Sequence, residues 1–114
     1  MYRLIREDWV KTEDGEERPT SQSFHNTDDG AMSVFFADEM AAAGASVADL
    51  IQTFPPFSRA VTFTAGELRA LGQTVERDKI EEFPGHGAVR HPDKDRRPQG
   101  VRSKMSLKAE WFKE

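Results

Sequence analysis

The chain has 114 residues, of which 37% are hydrophobic and 32% charged, with a net charge of −4; this is enough apolar material for one core, too little length for two, and too much charge for a membrane protein. Cysteine is absent, which excludes disulfides, thiolate catalysis and cysteine-based zinc or iron–sulfur sites. No apolar run approaches the roughly 20 residues that span a bilayer, and Arg3, Arg6, Glu7 and Asp8 interrupt any signal-peptide core, so a cytoplasmic location with no membrane association is expected.

Tyr2, Leu4 and Ile5, followed by Trp9 and Val10, predict a first strand or extended segment, with Arg3 and Arg6 flanking its apolar residues. Residues 11–22 are polar and acidic, contain Gly15 and Pro19 and show no periodicity, which predicts an exposed loop. Ser23 and Phe24 are expected to start a short strand, and Asn26, Thr27, Asp28, Asp29 and Gly30 form a turn cluster. Residues 32–43 support two readings. Met32, Val34 and Phe36 alternate as in a buried strand, whereas the alanines after Asp38 favour a helix that Gly44 would end.

Ser46 with Asp49 three residues later opens the clearest helix, with Val47, Leu50, Ile51 and Phe54 on one face and Pro55 and Pro56 as its stop. Residues 59–63 alternate as a strand. Thr64 and Glu67 then form the capping box of a short helix that carries Leu68 and Leu71 and closes at Gly72. Residues 74–78 and 86–91 read as further strands around a polar connection at 81–85. The basic segment 90–100 contains Pro92 and Pro98 and is expected to be a loop. Beyond Val101, the spacing of Met105, Ala109 and Phe112 is helical, with Leu107 and Trp111 on the neighbouring stripe and Trp111 pinning this end to the core. The expected architecture is one α+β domain over 1–114, a short-stranded sheet with two or three helices packed mainly on one face.

Taken in order, Tyr2-Arg3-Leu4-Ile5-Arg6, Ser33-Val34-Phe35-Phe36, the run Phe63-Thr64-Ala65-Gly66-Glu67-Leu68-Arg69-Ala70-Leu71-Gly72 and His86-Gly87-Ala88-Val89 resemble segments of small bacterial and phage proteins of uncharacterised function. The resemblance covers most of the chain. It implies a bacterial or phage origin and carries over no catalytic residue.

His86 and His91 have the residue type for a metal site, with Asp93 or His25 as further ligands. On a regular strand, however, a five-residue offset sends the two rings to opposite faces, so no metal is expected. Asp28 and Asp29 beside His25 read as turn residues before an acid–base cluster. Gly66, Gly85 and Gly87 match neither a Walker pattern nor a dinucleotide fingerprint, and no cofactor is expected. Arg3 or Arg6 on an early strand, Ser23 on a later one and a glutamate further along resemble the residue order of small ADP-ribosyltransferase-like toxins. That enzyme reading would need a pocket where Arg3 or Arg6 meets a carboxylate or His86.

Charge is distributed unevenly: through Phe57 there are four Lys+Arg against eleven Asp+Glu, and from Ser58 onward twelve against nine. Arg90, Lys94, Arg96, Arg97, Arg102 and Lys104 form a basic patch that suits an acidic protein surface. Nucleic acid is the weaker partner for it, because Asp93 and Asp95 dilute the field and no aromatic residues alternate with the basic ones to stack bases. With no convincing catalytic or phosphate motif, the sequence favours a small interaction or regulatory protein that binds another macromolecule.

Overall fold

The computed structural model describes residues 1–25, 31–92 and 97–113. The alternating segments become the strands of one sheet: β1 (Tyr2–Ile5), β4 (Ala31–Phe35), β5 (Arg59–Thr62), β6 (Thr74–Arg77), β7 (His86–Arg90) and β8 (Glu110–Trp111). Their order is β6-β7-β4-β1-β5-β8, and every neighbouring pair is antiparallel. A separate two-stranded hairpin is formed by β2 (Val10–Glu13) and β3 (Glu16–Pro19). The helices are α1 (Ala37–Ala42), α2 (Val47–Thr53), α3 (Ala65–Ala70) and α4 (Gln99–Lys108), and 3-10 turns occur at Glu7–Trp9 and Ser21–Phe24. The result is a mixed α+β domain. Among the described residues no helix is long and apolar enough to cross a membrane.

The helices are not gathered mainly on one face, as the sequence suggested. Side chains alternate along each strand, and here both sets are apolar. Ile5, Met32, Val34, Val61 and Val89 join a cluster with Leu68 of α3, Met105 of α4, and Trp9 and Phe24 of the 3-10 turns. Leu4, Phe35 and Ala60 join a second cluster with Met40 of α1, Val47 and Leu50 of α2, and Phe83 from the β6–β7 connection. A sheet that is apolar on both faces must be covered on both.

Local signals placed α2 and α3. In α2 the Ser46 hydroxyl accepts from the Asp49 N–H at 3.1 Å, and the Asp49 carboxylate accepts from the Ser46 N–H at 2.9 Å. Thr64 and Glu67 repeat this arrangement in α3 at 3.0 and 2.9 Å. Both readings of residues 32–43 hold, for different halves: β4 is a strand, and α1 is a helix followed by Gly44 at φ +74°.

Three expectations are corrected. Residues 11–22 are largely exposed, but most of them belong to the β2–β3 hairpin, which turns at Asp14 and Gly15 with φ of 51° and 81°. The Asp-Gly pair is a strong two-residue hairpin signal, hidden here by strands that lack apolar alternation. Ser23 and Phe24 lie in a 3-10 turn instead of a strand. The last helix stops at Lys108, and Glu110–Trp111 pair with β5 through Val61↔Trp111 and Thr62↔Glu110. Leu107, placed by its spacing on an apolar stripe, is 71% exposed. The open edge of β5 outcompetes helix continuation, because pairing there satisfies backbone groups and still anchors Trp111. Its indole N–H donates to the Glu17 carbonyl at 2.7 Å, and Arg59 lies 3.9 Å from its ring centre. The expected turn cluster of Asn26 to Gly30 lies outside the described residues.

Candidate functional site

β4 is bonded very differently along its two edges. Against β7 it pairs at all five positions, from Ala31↔Arg90 to Phe35↔His86. Against β1 it pairs only at Tyr2↔Phe35, although β1 continues to pair with β5 through Ile5↔Arg59. Continuing the β1–β4 register would set Leu4 opposite Ser33. Instead the strands part, and a cleft of about 360 Å³ opens there. Its polar lining is Arg3, Arg6, His25, Ser33 and His86, and its apolar lining includes Trp9, Phe35, Phe54 and Phe57.

Arg3 fills the parting of the strands. Its Nε donates to the Ser23 carbonyl at 3.0 Å and its Nη1 to the Ser33 carbonyl at 3.2 Å, so a guanidinium takes over an acceptor on the edge that β1 leaves unpaired. The guanidinium carbon lies 5.6 Å from the Trp9 ring centre. Arg3 is only 7% exposed, and among the described residues no carboxylate lies within ion-pair distance of it. Burial, followed by the charge of Arg97, pushes its pKa down to about 10. Arg6 also lines the cleft and approaches Trp9 at 5.8 Å, but its charge is partly answered by Asp8 at 3.1 Å.

On the opposite wall, His86 bridges two strands. Its Nδ1 lies 2.6 Å from the Asp78 carbonyl oxygen and its Nε2 lies 3.1 Å from the Ser33 hydroxyl. The Asp78 carboxylate is 3.6 Å from Nδ1, and the edge of the imidazole packs against Phe35 with ring centres 5.3 Å apart. The entry into β7 is set by Gly85 at φ +87°, whose carbonyl accepts the Phe36 N–H at 2.7 Å. A Cβ on Gly87 would come within 2.8 Å of the Glu76 carbonyl. These glycines are placed by tight backbone packing, which accounts for their spacing without a phosphate loop.

The fold therefore brings Arg3, Arg6 and His86 to one cleft and adds Ser33 and Asp78, which sequence reasoning did not single out. The signal for Ser33 was a hydroxyl inside an otherwise apolar strand. Ser23 touches Arg3 through its backbone, but its own hydroxyl is fully buried and is not part of this cleft's lining, and no glutamate lines the cleft among the described residues. His91 sits apart from His86, with its Nδ1 3.0 Å from the Gln73 amide nitrogen. Among the described residues no group of three His, Asp or Glu side chains is placed to hold a metal ion.

The basic patch is divided by the fold. Arg97 is 3% exposed and donates from Nε to Gln73 Oε1 at 2.6 Å, from Nη1 to the Phe24 carbonyl at 2.7 Å and from Nη2 to the Val89 carbonyl at 3.1 Å. It is an internal brace, which corrects its placement on a solvent-facing basic surface. Burial, then the charge of Arg102, pushes its pKa down to about 10. Arg90 lies 3.9 Å from Glu76, Arg102 donates to Gln99 at 3.0 Å, and Lys104 is exposed. Lys94 and Arg96 lie outside the described residues. The segment 90–100 is not loop throughout, since α4 begins at Gln99 with Pro98 as its N-cap.

A second groove, of about 430 Å³, runs between α2 and β8 and is lined by Val47, Ile51, Gln52, Arg59 and Trp111. Its one cation among the described residues, Arg59, is held by Glu17 at 2.9 Å. Comparison of the chain with known protein families, with curated proteins and with solved structures finds no match.

Proposed function

We propose that the protein is a cytoplasmic interaction or regulatory protein that recognises a carboxylate on a flat apolar body, seated in the cleft between β1 and β4. The observation that carries this reading is Arg3: a guanidinium 7% exposed, lining the cleft, with no carboxylate against it among the described residues. A buried cation without a counter-charge is costly, and an anion brought to it recovers part of that cost through charge-assisted hydrogen bonds. Trp9, Phe35, Phe54 and Phe57 supply the apolar walls for a flat body. In this reading the acidic partner expected from the sequence meets Arg3 and Arg6 in the cleft.

Calorimetric titration with phenylacetate and its neutral amide tests the reading, and a short peptide ending in phenylalanine, with a free or an amidated terminus, separates a small acid from a protein chain end. The charged member of at least one pair should bind at least about tenfold more tightly, and Arg3→Met should erase the difference. Equal binding of charged and neutral members in both pairs would end the proposal.

A further inference from the structure

We propose that Ser33 is the nucleophile of an acyl-transfer reaction in this cleft, activated by His86, and that its substrate is an ester whose acyl part carries a carboxylate. The substrate class rests on the reading of Arg3 as a carboxylate anchor. The nucleophile rests on separate geometry.

A carbonyl oxygen only accepts hydrogen bonds, so the 2.6 Å contact to the Asp78 carbonyl requires the proton of a neutral His86 to sit on Nδ1. Nε2 then presents its lone pair, and the Ser33 hydroxyl at 3.1 Å donates to it. This is the tautomer and the contact that a serine nucleophile needs from its general base. The base is oriented in turn. Besides the Asp78 carbonyl, the Asp78 carboxylate lies 3.6 Å from Nδ1, where it favours the imidazolium that forms during reaction. Ser33 is on β4, His86 on β7 and Asp78 directly follows β6, so three neighbouring strands hold the set. A hydroxyl–imidazole bond that served only to satisfy two buried groups would need no access to solvent, yet both side chains line the cleft.

In the reaction the Ser33 oxygen bonds to the ester carbonyl carbon while its proton passes to His86 Nε2, and the carbonyl π pair becomes an oxyanion. With Arg3 engaged by the substrate carboxylate, the positive potential of Arg6 in the same cleft favours that charge. Collapse of the oxyanion breaks the carbon–oxygen bond to the alcohol, which departs with the proton from Nε2. Water then repeats the sequence on the acylated Ser33, releasing the acid and restoring the hydroxyl. One water is consumed per ester cleaved, and no redox step occurs.

The test exposes the full chain to a fluorophosphonate probe and to two 4-nitrophenyl esters, the acetate and the hydrogen succinate. One adduct should form, on Ser33, and Ser33→Ala should abolish it. His86→Gln should slow labelling by about 100-fold or more. Asp78→Asn should lower kcat on the succinate ester with KM unchanged, as befits a positioning residue. Because the natural chain has no cysteine, Ser33→Cys introduces a single thiol, and its alkylation by iodoacetamide should be at least about tenfold faster than in the Ser33→Cys, His86→Gln double variant. The proposal is overturned if folded protein, checked by thermal melt, gives no Ser33 adduct, or if labelling and alkylation are indifferent to His86. Labelling of Ser33 without preference for the succinate ester over the acetate overturns the carboxylate anchor alone and leaves the nucleophile standing. Loss of the succinate preference in Arg3→Met supports the carboxylate anchor.

Discussion

Arg3 and Arg97 are both enclosed by the fold, and both donate to the Ser21–Phe24 turn, Arg3 to the carbonyl of Ser23 and Arg97 to that of Phe24. Burial lowers both pKa values to about 10. They differ in how their donors are used. Every nitrogen of the Arg97 guanidinium donates to protein, to Gln73, Phe24 and Val89. Arg3 uses Nε and Nη1, while its Nη2 has no protein acceptor among the described residues and the side chain lines a cleft. Equal burial therefore does not mean equal role: a cation with filled donors braces the interior, and one with donors to spare at a cavity wall is ready for a ligand.

The apolar core sets the scale for testing that contrast. Leu50→Ala and Leu68→Ala remove fully buried side chains from opposite sheet faces, and each should cost about 2 to 5 kcal/mol in urea melts. A loss under about 0.5 kcal/mol at either site would mean that one face is not a true core layer. Next in size, Arg97→Met should cost about 3 kcal/mol, because three acceptors lose their donor inside the protein, partly offset by removal of a buried charge.

Arg3→Met should cost no more than about 1 kcal/mol, since removal of a poorly compensated charge offsets the donor lost by the buried Ser23 carbonyl, and the Ser33 carbonyl is left beside a cleft that water can enter. Stability losses of the same size for Arg3→Met and Arg97→Met would erase the distinction between brace and ligand anchor. The smallest effect is a pH dependence. Burial lowers the Arg3 pKa on folding from the ordinary arginine value to about 10, so from about that pH up to the ordinary arginine range the unfolded chain binds more protons and stability rises with pH. By pH 10 the relief is about 0.4 kcal/mol relative to pH 8. The difference in unfolding free energy between the natural chain and Arg3→Met should therefore move in favour of the natural chain over that interval. A saturating carboxylate ligand, by restoring a counter-charge, should suppress the movement.

Much of the scaffold was legible because its signals are local. The capping boxes at Ser46–Asp49 and Thr64–Glu67 act over three residues, and strand alternation over four or five, so neighbours in sequence are sufficient to read them. The Asp14–Gly15 hairpin was equally local, but its charged strands carried no apolar pattern to mark them. Competition between distant segments was not readable. The chain beyond Lys108 had helical spacing and became a strand because β5, about 50 residues earlier, presented an open edge. The cluster of basic residues looked like one surface until the fold drew Arg97 inward to Gln73, Phe24 and Val89.

The sequence by itself determined the α+β class, the cysteine-free chemistry, the positions of α2, α3, β5, β6 and β7, and the residue types Arg3, Arg6 and His86 as candidates. The tertiary structure alone decided that helices cover both faces, that β1 parts from β4 after a single pairing, and that Ser33, His86 and Asp78 form one hydrogen-bonded set. The physical reason is separation along the chain. Ser33 and His86 are 53 residues apart and Arg3 and Ser33 are 30 apart, so their meeting depends on strand order and register, which are set by burying two apolar faces at once and leave no signature in any short window of sequence.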